Sequence, residues 1–147
     1  MNARTTTRRR ALAFIAFAPA AVRPAPAAAQ TAIDPSIVEA ASRALALRDE
    51  AARRGDQPYG AVVVRGGRIV GEGISAVVTL RDADAHAERI ALRDAITRLG
   101  TADLSGCALV GSSRACGACA DAAFRARIAR LWHGSPPVDD GPPHRSA

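Results

Sequence analysis

The sequence predicts an α/β domain in which helices cover both faces of a central sheet. Helical and strand patterns alternate from Asp34 to His133, and the strand predicted from Tyr59 to Val64 is apolar at nearly every position. A strand covered on both faces shows such a continuous apolar run, whereas a half-exposed strand alternates apolar and polar residues. The chain has 147 residues, which is enough for one domain with a core of its own.

The first helix is predicted to begin at Asp34, a good N-cap residue, with Pro35 at the first helical position. It is predicted to end at Gly55, because glycine readily adopts the left-handed conformation that closes a helix. The next strand is expected to turn back through the Gly-Gly pair at 66–67 and return from Arg68 to Ile74. A loop from Ser75 to Asp84 then leads to the second helix.

Two more helices and two more strands complete the predicted domain. Asp84 is expected to cap the second helix, since its carboxylate can accept hydrogen bonds from free backbone N–H groups. The predicted ranges are Ala85 to Leu99 for the second helix, Cys107 to Val110 for a strand, Cys116 to Ala126 for the third helix and Ile128 to His133 for the last strand. The domain is expected to cover residues 30–134, followed by a disordered, Pro-rich tail at 135–147.

The positive charge of the chain is concentrated at its N-terminus. The formal net charge is +6, but five of the 20 basic residues lie in the first 29 residues, where there is no acid. The rest of the chain has 15 arginines against 14 acids and is therefore nearly neutral. Because phosphate contacts require clustered cations, we expect no nucleic-acid partner for the domain.

Residues 1–29 have the pattern of an export signal. Three arginines (Arg8 to Arg10) precede a short apolar run from Ala11 to Val22, and the small residues Ala27 to Ala29 suit a cleavage site. The run is too short to span a bilayer, and the arginines resemble a twin-arginine signal. The prediction is an exported, periplasmic protein with no membrane span in its mature form. A disordered basic N-terminus or a misassigned start codon is the alternative, and would leave the protein cytoplasmic.

Two short motifs carry the predicted chemistry. His86 begins an H-x-E motif, and Cys116 and Cys119 form a C-x-x-C motif 30 residues later. One imidazole and two thiolates suit Zn²⁺, and three protein ligands leave a fourth position open, as in catalytic zinc sites. On a helix Glu88 is turned about 200° from His86, so we expect it not to be a fourth ligand, although at a helix start it can reach a water bound to the metal. A core histidine with a redox or disulfide C-x-x-C is the alternative.

Three other residues of metal-binding type lie outside this spacing. Cys107 is expected to be a small buried apolar residue. His133 and His144 have no partner at a motif spacing and are expected on the surface.

The order of the two motifs resembles the cytidine and deoxycytidylate deaminase family of zinc enzymes, and most closely its guanine deaminase and tRNA adenosine deaminase branches. The resemblance covers residues 33–134 and includes Gln57 to Ala61 and Asp82 to Glu88. It implies a three-layer α/β/α fold with a central mixed sheet. It also implies a C-terminally short domain, since such proteins usually continue through another strand and one or two helices.

The resemblance also implies roles for individual residues. Zn²⁺ is bound by His86, Cys116 and Cys119, and Glu88 is the catalytic residue that carries protons from water to the substrate and to the departing ammonia. Substrate contacts are expected from five residues: Tyr59, Gly60, Ala61, Ser75 and Ala87. The implied partners are a small base or nucleoside as substrate and a second copy of the chain in a homodimer.

The chain departs from the family pattern at three places. Arg114 and Ala115 stand where Glu-Pro is usual, Ser75 stands where an Asn is common, and the residues between the cysteines are small. Three functions remain open. The first is hydrolytic deamination of a nucleobase, nucleoside or related amino-heterocycle, as in guanine deaminase. The second is deamination of adenosine in tRNA. The third, of another class, is a catalytically degenerate, zinc-stabilised binding module.

Overall fold

A computed structural model describes residues 32–145, which fold into three helices and five strands. The helices are α1 (Pro35–Arg53), α2 (Ala87–Leu99) and α3 (Gly117–Arg125). The strands are β1 (Gly60–Arg65), β2 (Arg68–Ile74), β3 (Cys107–Gly111), β4 (Arg130–His133) and β5 (Val138–Gly141). Within residues 32–145, no helix combines the length and the apolarity needed to cross a bilayer. The predicted export signal at 1–29 lies outside the described residues.

The five strands form one mixed sheet in the order β2-β1-β3-β4-β5. β1 pairs antiparallel with β2 and with β3, β3 pairs parallel with β4, and β4 pairs antiparallel with β5. The strands β2, β3 and β4 therefore run in the same direction. The prediction of a central mixed sheet is confirmed.

Helices cover both faces of the sheet. Successive side chains of β1 point to opposite faces, and this separates two apolar cores. One core packs α1 against the sheet and contains Ile37, Ala40, Ala41, Leu47, Val62, Val64 and Val110. The other packs α2 and α3 against the sheet and includes Ala61, Val63, Ala91, Leu92, Leu109, Ala120 and Ala123. Each buried Val or Leu contributes about 1.5–3 kcal/mol. The predicted α/β/α layering is confirmed.

The first helix and the hairpin have the bounds that their local signals predict. The Asp34 carboxylate accepts a hydrogen bond of 2.8 Å from the Ser36 N–H, and Pro35 is the first helical residue. Gly66 and Gly67 both have positive φ, as a two-residue Gly-Gly turn requires.

The second and third helices begin later than predicted. His86 is the N-cap of α2, so the prediction that Asp84 caps this helix is wrong. The chain is still in a turn at Ala85, whose N–H donates to the Asp82 carbonyl oxygen, and the Asp84 carboxylate instead pairs with Arg89. In α3, likewise, Cys116 is the N-cap rather than a residue of the first turn.

The tail contains a strand, which corrects the prediction of disorder at 135–147 and of a domain that ends at residue 134. Val138 pairs with His133, and Asp139 pairs with Trp132, at the edge of the sheet. The Asp140 carboxylate accepts from His133 Nδ1 at 2.7 Å and forms a 2.7 Å ion pair with Arg114. His133 is therefore partly buried and has a partner, contrary to expectation. These contacts hold the tail against the domain.

Candidate active site

The starts of α2 and α3 lie at one edge of the sheet. Because β2 and β3 run in the same direction, their carboxyl ends share an edge, and each leads through a loop into a helix. His86 is the N-cap of α2, Cys116 is the N-cap of α3, and Cys119 lies in the first turn of α3. The topology therefore brings the two motifs together although they are distant in sequence.

The three predicted ligands form a compact cluster. Nδ1 of His86 lies 3.5 Å from Sγ of Cys116 and 3.4 Å from Sγ of Cys119, and all three ligand atoms lie within 4.8 Å of one another. A tetrahedral zinc ion, with roughly 2.3 Å to sulfur and 2.0–2.1 Å to nitrogen, separates its nitrogen and sulfur ligands by about 3.5 Å. The donor set and its spacing thus fit Zn²⁺.

The surroundings of Cys119 disfavour its ionised form, so a nearby positive charge is needed to stabilise the thiolate. Burial of this thiol, and next the nearby Glu88 carboxylate, raise its pKa well above the usual value. A metal cation acts in the opposite direction, and so does the N-terminus of α3. Cys119 is therefore suited to binding a metal rather than to being a free reactive thiolate.

Glu88 lies beside the ligand cluster without joining it. Its Oε2 is 3.6 Å from Sγ of Cys119, and only 7% of the residue is exposed. Among the described residues, the group positioned to hold a metal consists of His86, Cys116 and Cys119. Burial raises the pKa of the Glu88 carboxyl, which makes it a better proton acceptor than a surface glutamate.

A cavity of about 380 Å³ opens over this cluster. This volume lies in the range of small-molecule sites in proteins. The lining residues are Gln57, Tyr59, Ser75, His86, Ala87, Glu88, Ser113, Arg114 and Cys116.

The structure brings three of the five predicted substrate-contact residues to the cavity: Tyr59, Ser75 and Ala87. Gly60 and Ala61 are not part of the lining. A Cβ on Gly60 would lie 2.3 Å from the Ala44 carbonyl oxygen, so this glycine allows α1, not a substrate, to approach. Ala61 is fully buried in the core under α2 and α3. For these two residues the structure therefore indicates a packing role.

Gln57, Ser113 and Arg114 also line the cavity, although no motif in the sequence predicts this position for them. Asp56 was not predicted either, yet it is only 7% exposed and accepts four hydrogen bonds. Oδ1 of Asp56 accepts from Gln57 N at 2.8 Å and Ser75 Oγ at 2.9 Å. Oδ2 accepts from Thr79 N at 2.8 Å and Thr79 Oγ1 at 2.6 Å. Nothing in the local sequence marks Asp56, because its partners at 75 and 79 come from the loop after β2.

These four bonds keep Asp56 ionised. Burial alone would raise the pKa of its carboxyl, but the hydrogen bonds from Thr79, Gln57 and Ser75 outweigh burial and hold that pKa well below the usual value. A charged carboxylate therefore ties the loop after β2 to the end of α1.

Residues 36–135 match the family described as the cytidine and deoxycytidylate deaminase zinc-binding region. The chain belongs to this family. The match and the ligand cluster together confirm the prediction of Zn²⁺ as the cofactor.

The relatives of this chain carry the names of different enzymes. Guanine deaminase from Bacillus subtilis is 37% identical over 98 residues, which cover 66% of this chain and 63% of that protein. The tRNA-specific adenosine deaminase of Aquifex aeolicus is 36% identical over 89 residues, 59% of each chain. A tRNA(Ile)-lysidine synthase of Deinococcus deserti is 44% identical over 97 residues, which are 65% of this chain but only 18% of that protein.

The fold agrees with a solved structure of the family. The crystal structure of the Bacillus subtilis guanine deaminase superposes with a TM-score of 0.61 over 63% of this chain and 60% of that one. The chain thus spans less than two thirds of the length of each of these relatives.

Proposed function

We propose that this protein is a zinc-dependent hydrolytic deaminase of a small amino-substituted heterocycle, a nucleobase or nucleoside like the substrate of guanine deaminase. One observation carries the proposal: the buried Glu88 carboxylate faces the same cavity as the His86 and Cys116 ligands and lies 3.6 Å from the third ligand. Hydrolytic deamination needs a carboxylate that moves protons beside a metal without being bound to it.

The zinc ligands and Glu88 have separate chemical roles in this reaction. Zinc held by His86, Cys116 and Cys119 supplies a Lewis acid and lowers the pKa of water in the site. Glu88 accepts the proton of the attacking water and donates it to a ring nitrogen of the substrate. Glu88 then takes the proton of the hydroxyl group newly added to the ring carbon and gives it to the amino group, so that a carbonyl forms as the C–N bond breaks and ammonia leaves.

The charge of the domain favours a small substrate over tRNA. The cavity of about 380 Å³ has room for one base, whether that base is free or turned out of a nucleic acid. Residues beyond the first 29 carry nearly equal numbers of arginines and acids, whereas affinity for nucleic acid rests on clustered cations that neutralise phosphates. Deamination of tRNA is the second candidate, supported by the relative from Aquifex aeolicus.

Export and dimerisation complete the proposal. The arginines, apolar run and small residues of 1–29 favour transfer to the periplasm. N-terminal sequencing of protein from the cell envelope should begin near Gln30, and intact protein starting at Met1 in the cytoplasm would refute export. The homodimer stays a prediction, which sedimentation of the zinc-loaded protein would test.

The experiment that tests the function is an ammonia-release screen of zinc-loaded protein against free bases, nucleosides and tRNA. We expect release from at least one amino-purine and none from tRNA. Release from tRNA alone would support the second candidate. No release from any compound, with zinc retained, would support the zinc-stabilised binding module instead.

A further inference from the structure

Ser75 is held at the cavity wall by two hydrogen bonds. Its N–H donates to the Tyr59 carbonyl oxygen at 3.0 Å, and its hydroxyl donates to Oδ1 of Asp56 at 2.9 Å. The residue is only 3% exposed, yet it lines the cavity. The backbone and the side chain of this wall residue are therefore both fixed.

The hydroxyl proton of Ser75 is committed to Asp56. A serine hydroxyl has one proton to donate and two lone pairs that accept. An ionised carboxylate can only accept, so in the Ser75–Asp56 bond the serine must be the donor. What remains on the Ser75 oxygen for a ligand is its capacity to accept.

The Asp56 carboxylate does not become the donor in its hydrogen bond with Ser75. Each of its oxygens also accepts from a backbone N–H, of Gln57 on one side and of Thr79 on the other. A backbone N–H cannot act as an acceptor. Reversal of the Ser75–Asp56 bond would need a protonated carboxyl, and the four hydrogen bonds that Asp56 accepts keep it ionised.

We infer that Ser75, oriented by Asp56, presents only a hydrogen-bond acceptor to the cavity, so that the substrate must place an N–H group against this wall. Ser75 is thus a specificity-determining residue, and Asp56 is its positioning residue. A heterocycle that places a bare ring nitrogen here would set one acceptor, its nitrogen, against another, the Ser75 oxygen. Because the two cannot form a hydrogen bond, such a heterocycle would be rejected. The inference rests on the proposed function, because it names the chemistry by which that cavity selects its substrate.

The test uses guanine and analogues that each lack one group. 1-Deazaguanine loses a ring N–H, 3-deazaguanine loses a bare ring nitrogen, and hypoxanthine loses the exocyclic amine. The 7-deaza and 9-deaza analogues fix the imidazole N–H at one nitrogen or the other. Inhibition constants are measured for zinc-loaded wild type, Ser75→Ala and Ser42→Ala. The last variant removes a hydroxyl from the exposed side of α1 and is the matched control.

We expect loss of one N–H donor to weaken binding to wild type about tenfold or more, as for a hydrogen bond whose buried acceptor is left unpaired. In Ser75→Ala the same loss should have little effect, whereas Ser42→Ala should behave as wild type. If Ser75→Ala instead cancels the effect of removing a bare nitrogen, Ser75 acts as a donor and the inference is wrong. If Ser75→Ala changes no analogue's relative affinity, the inference is also wrong.

Asp56→Asn tests the positioning role. The amide can turn either its oxygen or its NH₂ group towards Ser75, and only the oxygen keeps the hydroxyl as a donor, so the penalty for the missing donor should fall between those of wild type and Ser75→Ala. Zinc content and a melting curve establish that the variant is folded, and the Ser75→Ala series decides the inference if it is not. An unchanged penalty in folded Asp56→Asn would remove Asp56 from the proposal. If wild type neither binds nor deaminates any compound of the panel, the proposed function fails and this inference fails with it.

Discussion

A Cβ added to Gly73 would lie 2.0 Å from the carbonyl oxygen of Ala87, so β2 and the first turn of α2 are in backbone contact at this point. Gly71 makes the corresponding approach one turn later, where a Cβ would lie 2.5 Å from the Ala91 carbonyl oxygen. The two glycines bring α2 close to the sheet. Since His86 and Glu88 flank Ala87, this contact also sets the position of the metal ligand and the carboxylate.

We expect Gly73→Ala to weaken zinc binding and to destabilise the fold by about 1–3 kcal/mol, because α2 must move away from β2. Zinc affinity by competition with a chelator and a denaturant titration would measure the two effects. The matched control is Gly60→Ala, which forces α1 rather than α2 to move. It should lose comparable stability but bind zinc normally. If Gly73→Ala bound zinc as tightly as wild type, the contact between Gly73 and Ala87 would not set the position of the metal ligand.

Glu88→Gln separates a proton carrier from a ligand. The variant should keep one zinc per chain and its fold, since Glu88 is outside the ligand cluster. Its turnover should fall by about 10²–10⁴-fold, the usual effect of removing a general acid–base group. Metal analysis and the ammonia assay would be run on the same sample. Loss of zinc would mean that the carboxylate is a ligand after all.

The three cysteines should differ in their effect on metal content. Cys116→Ser and Cys119→Ser should each lose zinc, because both sulfurs lie about one ligand–ligand distance from His86 Nδ1. Cys107→Ala should keep it, since Cys107 is fully buried in the core and outside the cluster. Metal content per chain is the measurement, and full zinc in either serine variant would defeat the assignment.

The Asp56 carboxylate should make the stability of the fold depend on pH in the acid range. Its pKa is lowered in the folded protein, whereas an unfolded Asp titrates near 3.9. A lowered pKa contributes stability above the unfolded value, and this contribution is lost as the pH falls below it. Asp56→Asn should therefore melt below wild type at pH 7, with a smaller difference near pH 3. An equal difference at both pH values would show that the charge of Asp56 does not matter.

Local signals in the sequence sufficed for much of the fold. The cap at Asp34 and the glycine pair at 66–67 depend on residues that are neighbours in the chain, so α1 and the hairpin could be predicted closely. The ligands could be predicted because zinc chemistry restricts both residue type and spacing.

The remaining features depend on contacts that have no local signature. The four-residue strand β5 is polar and lies beside prolines, so only its pairing with β4 and the Asp140 contacts define it. Asp56 depends on partners in a loop that follows two strands. The direction in which Gly60 faces depends on where α1 packs, which periodicity alone does not specify.

The metal ligands join two separate helices, and this has a consequence for how the chain holds together. His86 and Cys116 are 30 residues apart, and the segment between them contains the whole of α2 and β3. An ion shared by these residues acts as a reversible cross-link that closes this segment into a ring. It removes chain entropy from the unfolded state and binds tightly only when both helix starts are in place. Formation of the metal site and stability of the domain are therefore coupled, and each strengthens the other.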